Sequence, residues 1–117
     1  MTSALVDWSL AIVEPRKLTD YLLSLDHPYG ASKARFFLAC GFSPHGHEAF
    51  AQALIAQARG GLERTEAGFD GGTKLIVDGE TETPAGDLRR IRTVWMLDSA
   101  RARLVSAYPL RSEAGDT

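Results

Sequence analysis

The pair Gly60-Gly61 divides this chain into two kinds of sequence. Before it, apolar residues recur three and four apart; after it they alternate, with turn residues at regular intervals. A chain that changes period once, from 3.6 to 2, buries both patterns by packing a helical layer on a sheet. The expected fold is therefore α+β, with N-terminal helices packed on one face of a four-stranded antiparallel sheet. The 117 residues supply material for a single core. We expect one globular domain over residues 1–110 and a flexible tail over 111–117, which has too little apolar content to pack.

Three helices are predicted. Leu18, Tyr21, Leu22 and Leu25 share one face of a helix opening at Pro15, whose missing N–H is no loss in a first turn. His27-Pro28-Tyr29-Gly30 breaks it. A second helix runs from Ser32, as N-cap, to Cys40, offers Phe36, Phe37 and Cys40 for burial, and stops at Gly41. The third follows Ser43-Pro44, puts Glu48 at the positive end of the dipole, and carries Phe50, Leu54 and Ala58 as its stripe. Strands are read over Leu62–Phe69, Thr73–Glu82, Leu88–Leu97 and Arg103–Tyr108. Asp70-Gly71-Gly72, Pro84–Asp87 and Asp98–Ala102 connect them. Leu5–Val13 is a candidate short edge strand.

Several function classes fall away on composition. The single Cys40 can form no internal disulfide and no cysteine-based zinc site, which suits a reducing cytoplasm. Phe36–Cys40 is the longest uninterrupted apolar run, far short of the roughly 20 residues a bilayer requires. Asp7 precedes every basic residue, unlike a signal peptide. A cytoplasmic protein without a membrane partner is expected. His45-Gly46-His47, even with His27, lacks an HExxH spacing or a Cys partner, so no metal and no cofactor are expected. Gly68–Gly72 reads as a hairpin turn rather than a nucleotide loop, and Cys40, at the apolar end of a helix, as an inert thiol. Trp8 and Trp95 read as core aromatics. The net charge of −2 gives no global field for nucleic acid, so such binding would need a local patch.

Two places concentrate chemistry. In the third strand Ile91, Thr93, Trp95 and Leu97 fall on the natural core face, and Arg90, Arg92, Val94 and Met96 on the other. If the Asp98–Ala102 connection sets Leu97 opposite Arg103, Val94 pairs with Ser106 and Arg92 with Tyr108. A guanidinium, a hydroxyl and a phenol on one face suit an oxyanion, or merely a solvated strand face. The second place is His27–Arg35, where His27, Lys33, Arg35 and a helix start gather in a stretch suited to an anion. Charge is also uneven. Glu63–Glu82 holds six acids against Arg64 and Lys74, while Asp87–Arg111 holds six Arg against two Asp. That gradient either focuses an anionic ligand or pairs the two hairpins with each other.

Several motifs carry a resemblance: Lys17-Leu18-Thr19-Asp20-Tyr21-Leu22-Leu23, His27-Pro28-x-Gly30-x-x-Lys33-Ala34-x-Phe36-Phe37 with Gly41-Phe42, Arg92-Thr93-Val94-Trp95, and Ala107-Tyr108-Pro109. Together they resemble a small bacterial domain family of unknown function, over roughly Lys17 to Pro109. Members occur alone, beside a small partner gene, or as the C-terminal cargo of polymorphic toxins. The helix-then-meander layout is similar to barnase-like and RelE-like ribonuclease toxins. The resemblance implies His27, Lys33, Arg92 and Tyr108 as catalytic positions, with Thr93 and Ser106 contacting substrate; Arg35, from the anion-suited stretch, is a further expected substrate contact. It also implies RNA, and a small cognate antitoxin or immunity-like protein, as partners. Ser32 departs from the pattern, standing where a second polar position, often histidine, precedes the lysine.

The function expected from these readings is a toxin-like, metal-independent endoribonuclease. The alternative is a non-catalytic module binding a protein partner or a small anion at the same place. A third reading is a structural homo-oligomer joined through Trp8 or the edge strand.

Overall fold

The computed structural model describes residues 6–28, 30–68 and 71–110. A helical layer, α1 (Pro15–Lys17, continued by a π-helical stretch Leu18–Leu22), α2 (Ala31–Ala39) and α3 (His47–Gly60), precedes β1 (Leu62–Ala67), β2 (Thr73–Glu82), β3 (Leu88–Asp98) and β4 (Arg101–Pro109). The strands form one antiparallel meander in the order β1-β2-β3-β4. The fold is α+β, with the helices packed against the sheet. Predicted features at Leu5, Tyr29, Phe69, Asp70 and 111–117 lie outside the described residues.

The helices differ from the predicted ones in detail, each for a physical reason. In the first, the Leu23 N–H reaches the Leu18 carbonyl at 2.8 Å, an i→i+5 bond that widens the turn. That extra width takes Leu23 into the core with Leu18 and Leu22, and leaves Leu25, beyond the helix, 56% exposed. Helix α2 begins two residues early, its cap at Gly30 rather than Ser32, which already lies inside the first turn. Its end is as expected: Gly41 takes φ +100°, Gly41 N–H meets the Leu38 carbonyl and Phe42 N–H meets that of Phe37, the paired bonds of a left-handed glycine stop. Helix α3 buries Phe50, Leu54, Ala58 and also Gln57. At its end a Cβ on Gly61 would lie 2.5 Å from Val77 Cγ1 and 2.8 Å from the Asp78 carbonyl oxygen, so the glycine lets the helix meet β2 closely.

The core fills the space between α3, the first helix and the inner sheet face. Leu75, Val77, Ile91, Trp95, Leu104 and Ala107 meet Leu18, Leu22, Phe37, Phe50 and Leu54 there. Trp8 is buried and meets Trp95 edge to face at 5.0 Å. It is a core residue, which removes it as an interface for self-association. Inside this apolar layer runs one polar chain. Trp95 Nε1 donates to Thr93 Oγ1, Thr93 Oγ1 donates to Gln57 Oε1, both at 2.8 Å, and Gln57 Nε2 donates to the carbonyls of Val77 and Ile91. Every polar atom of the Gln57 amide is satisfied, as burial demands.

The last hairpin corrects the assumed register. Leu97 stands opposite Ala102, not Arg103, because Ser99-Ala100 forms a tight turn, with Ser99 at φ +57°. An extra residue, Val105, then bulges between Leu104 opposite Trp95 and Ser106 opposite Val94. The bulge cancels the offset, so Val94 faces Ser106 and Arg92 faces Tyr108 after all. The outer edge of β4 meets no full strand among the described residues. Asp7 N–H reaches the Ala100 carbonyl, and Ile12 makes a single parallel bridge at Arg103, around a 3₁₀ turn at Trp8–Leu10. That segment shields the first half of β4 and leaves the second half to the site.

Candidate functional site

Beside Ser106 and Tyr108 two open depressions adjoin. One, of about 570 Å³, is bordered by Glu14, Arg16, Lys17, Asp20, Tyr21, His27, Val105 and Ser106. The other, of about 480 Å³, is bordered by Ser32, Lys33, Ser106, Tyr108 and Pro109. Ser106 belongs to both and joins them into one groove. The β4 bulge turns its side chain there by letting the hydroxyl leave the inner-face alternation.

Tyr21 is the centre of the groove. The widened turn that sends Leu18 and Leu22 inward leaves Tyr21 at the border of the core, half-buried. Its hydroxyl lies 3.2 Å from Ser106 Oγ, and either group can donate. The ammonium groups of Lys17, one turn earlier, and Lys33, on α2, each lie 5.5 Å from its ring centroid, so two cations share one aromatic face system. His27 meets the same ring edge to face at 4.8 Å. Gly30 N–H donates to His27 Nδ1 at 3.1 Å. With Nδ1 accepting, the neutral imidazole carries its proton on Nε2, and it becomes a base only when the Gly30 bond opens. Gly30 is itself constrained: a Cβ there would collide with the Tyr21 carbonyl oxygen.

A phenol, an aliphatic hydroxyl, an imidazole and two ammonium groups thus converge from α1, the loop after it, α2 and β4. The set suits an anion carrying transferable protons, such as a phosphodiester. Carboxylates stand on the rim: Asp20 pairs with Arg16 at 3.3 Å, and Glu14 lies 3.9 Å from Arg103. Among the described residues no three His, Cys, Asp or Glu side chains group as metal ligands, and no helix is long and apolar enough to cross a membrane.

A family model for a domain of unknown function, DUF6883, matches residues 4–111. The chain belongs to the DUF6883 family. No curated protein matches it in sequence. Among solved structures, it is similar to a chain of a contact-dependent growth inhibition toxin–immunity protein complex from Klebsiella pneumoniae 342, with a TM-score of 0.69 and 15% identity over 90% of this chain and 97% of that one. At that identity the likeness is one of fold.

Within this DUF6883 domain the predicted positions separate into two groups. His27, Lys33, Ser106 and Tyr108 line the groove. Arg92 does not border either depression. Its Nε and Nη2 donate to both carboxylate oxygens of Asp78 at 2.6 and 2.8 Å, and its guanidinium lies 6.0 Å from the Tyr108 ring centre. The Asp78 bonds first, and Tyr108 second, raise its pKa. The charge gradient between the hairpins is therefore spent at this point on pairing them. Thr93 is fully buried on the inner face with Gln57 and Trp95, so it cannot contact a ligand in the groove. Arg35 is exposed on α2, and two residues of helix, about 200°, turn it away from Lys33. Cys40 is buried, which pushes its thiol pKa up. Tyr21 and Lys17, which the sequence offers as a stripe residue and as parts of a family motif, are not among the expected site positions, although the i, i+4 spacing of a cation and an aromatic is there to see.

Proposed function

We propose that the domain is the toxin-type member of a toxin–immunity pair and cleaves RNA at the Tyr21–Ser106 groove. The observation that carries this reading is the meeting of His27 and Ser106 at Tyr21, whose ring also has two lysine ammonium groups 5.5 Å from its centre. In the reaction the ribose 2′-oxygen attacks the adjacent phosphorus, its proton leaves to a base, and the 5′-oxygen departs with a proton. The products are a 2′,3′-cyclic phosphate and a free 5′-hydroxyl. Lys17 and Lys33 balance the added charge on the phosphorane. His27 exchanges the proton once substrate displaces the Gly30 N–H from Nδ1, and Tyr21 and Ser106 orient the attacking hydroxyl. Tyr108 stacks on a base. Arg92, held by Asp78, acts as a positioning residue for Tyr108. All of these groups come from the protein, so the reaction as drawn runs in EDTA.

Labelled RNA incubated with purified protein in EDTA tests the reading. Cleavage leaving a cyclic phosphate is expected, with a loss of roughly 10²–10⁴-fold in His27→Ala and little change in RNA binding. Intact RNA after incubation with folded wild-type protein would overturn it. Glu14 and Asp20 on the rim favour a second reading, because carboxylates oppose a polyanion and suit a basic protein surface. On that reading the domain turns over nothing and binds a small immunity-like partner through the groove. The fold likeness to a chain of a toxin–immunity complex supports either member of such a pair.

A further inference from the structure

The groove does not end at Tyr108. A third depression of about 390 Å³ lies against it, sharing Pro109 with the second and bordered by Phe36, Arg89, Arg90 and Leu110, with Glu80 on its rim. The depressions thus follow one another through shared residues, Ser106 and then Pro109. Helix α2 supplies the facing wall, since Phe36 follows Ser32 by four residues and Lys33 by three and so shares a side of the helix with both. From Ser106 to Leu110 the strand advances about 13 Å, longer than one phosphate can occupy.

We infer that these depressions form one track for single-stranded RNA, in which Arg89 and Arg90 hold the backbone beyond the cleavage groove and Phe36 and Tyr108 offer stacking surfaces. The inference rests on the ribonuclease reading and adds the form of its substrate. Cations recur along the row: Lys17 in the first depression, Lys33 in the second, Arg89 and Arg90 in the third. The chain as a whole carries a net −2, so this line of positive charge is local. An aromatic ring stands beside a cation at each of these places, beginning with Tyr21 and Lys17 in the first depression. The Arg89 guanidinium lies 5.0 Å from the Phe36 ring centre, and Lys33 and Tyr108 border one depression. Aromatic faces interleaved with cations fit bases splayed out of a strand and do not fit paired bases inside a duplex. Carboxylates temper the row at both ends, Glu14 and Asp20 at the first depression, and at the far end Asp87 at 3.8 Å from Arg89 and Glu80 opposite Arg90 in the sheet, which sets a moderate affinity with a visible salt dependence.

The test uses 2′-O-methyl oligonucleotides, which lack the attacking hydroxyl, so binding is read without cleavage. Fluorescence anisotropy is measured for a labelled mononucleotide, a single strand of eight and a duplex of the same sequence. The single strand should bind at least about tenfold tighter than the mononucleotide and the duplex. The Arg89→Gln/Arg90→Gln double variant should weaken only the longer strand, by about tenfold, and lower its salt slope by about 1 per charge removed. Tyr108→Ala should weaken the same strand about tenfold, while Tyr108→Phe keeps the affinity and guards against misfolding. Equal affinity for strand and duplex, or no effect of the double variant on the longer strand, overturns the track. If RNA is cleaved and the track tests fail, the ribonuclease reading stands without it. If the strand binds as expected and natural RNA stays intact, the track stands and the ribonuclease reading falls.

Discussion

The fold carries two constellations of polar side chains, and they differ in whether water reaches them. On the inner face, Gln57, Thr93 and Trp95 form a chain whose donors and acceptors are matched to one another and to two backbone carbonyls. At the β4 edge, Tyr21 and Ser106 share one bond, His27 takes one from Gly30, and two lysines stand against a ring. The inner chain is sealed from water, so its worth is entirely in stability and in fixing how α3 sits on β2 and β3. The edge set is open, and each group can exchange its partner for a ligand atom at small cost. Hydroxyls and amides of similar kinds therefore do different work according to burial and satisfaction rather than identity.

The contrast can be broken most severely at the inner chain. Gln57→Leu keeps the volume of the side chain but strands the Thr93 hydroxyl and the carbonyls of Val77 and Ile91 in an apolar layer. A loss of about 3 kcal/mol is expected, read as a fall in the urea midpoint, with folded protein retaining whatever activity the groove has. A stability change under 1 kcal/mol would mean that water reaches these groups. At the groove, the largest effect should come from Gly30→Ala. The new methyl must displace the Tyr21 backbone, costing about 2 kcal/mol and separating Tyr21 from Ser106. On the ribonuclease reading, RNA cleavage and stability should fall together, whereas Gln57→Leu should separate them.

Much of this organisation was legible in the sequence, and the misses have identifiable causes. The bounds expected for β2 match the strand because Gly71-Gly72 and Pro84–Asp87 punctuate both of its ends. The pairing of Arg92 with Tyr108 was reached through an incorrect turn: a tighter connection at Ser99-Ala100 and a bulge at Val105 each shift the register by one and cancel. Alternation alone cannot reveal such a compensation. Tyr21 was assigned to an apolar stripe because a period of 3.6 takes no account of a π turn. Gln57 was visible in principle, since it lies three residues after Leu54 on the buried side of α3, where an amide among apolar neighbours signals a buried partner. Arg92 could not be placed from pattern, because its fork could serve a ligand or a carboxylate equally well, and Asp78 across the strand takes it.

That pair gives a smaller effect with a pH signature. The Arg92 bonds hold the Asp78 carboxyl below the ordinary carboxylate range, against some desolvation in the opposite direction. The folded state therefore binds the proton more weakly than the unfolded state. The stabilisation is complete above the unfolded value of about 3.9 and disappears as pH falls through the lower folded value. Asp78→Asn should cost about 1–2 kcal/mol at pH 7, for a bidentate pair each 23% exposed. As pH falls through that folded value the difference between variant and wild type should shrink toward zero. Urea midpoints across that range measure it, and a difference independent of pH would show that geometry rather than charge accounts for the loss.

The smallest change should come from Tyr21→Phe. It removes one hydroxyl and keeps the ring that meets His27 and the two lysines. The Ser106 bond is part-buried and spans 85 residues of chain, but Ser106 borders open depressions where water can replace the lost partner. A cost of about 0.5–1 kcal/mol is expected, well below that of Gln57→Leu although each substitution deletes a hydrogen-bonding group. Function should reverse the order. If the hydroxyl orients the attacking 2′-oxygen, cleavage by Tyr21→Phe falls at least about tenfold with binding of the uncleavable strand unchanged. Should stability fall as far as in Gln57→Leu while cleavage persists, the Tyr21–Ser106 contact belongs with the sealed inner chain, and the proton path must be sought at His27 alone.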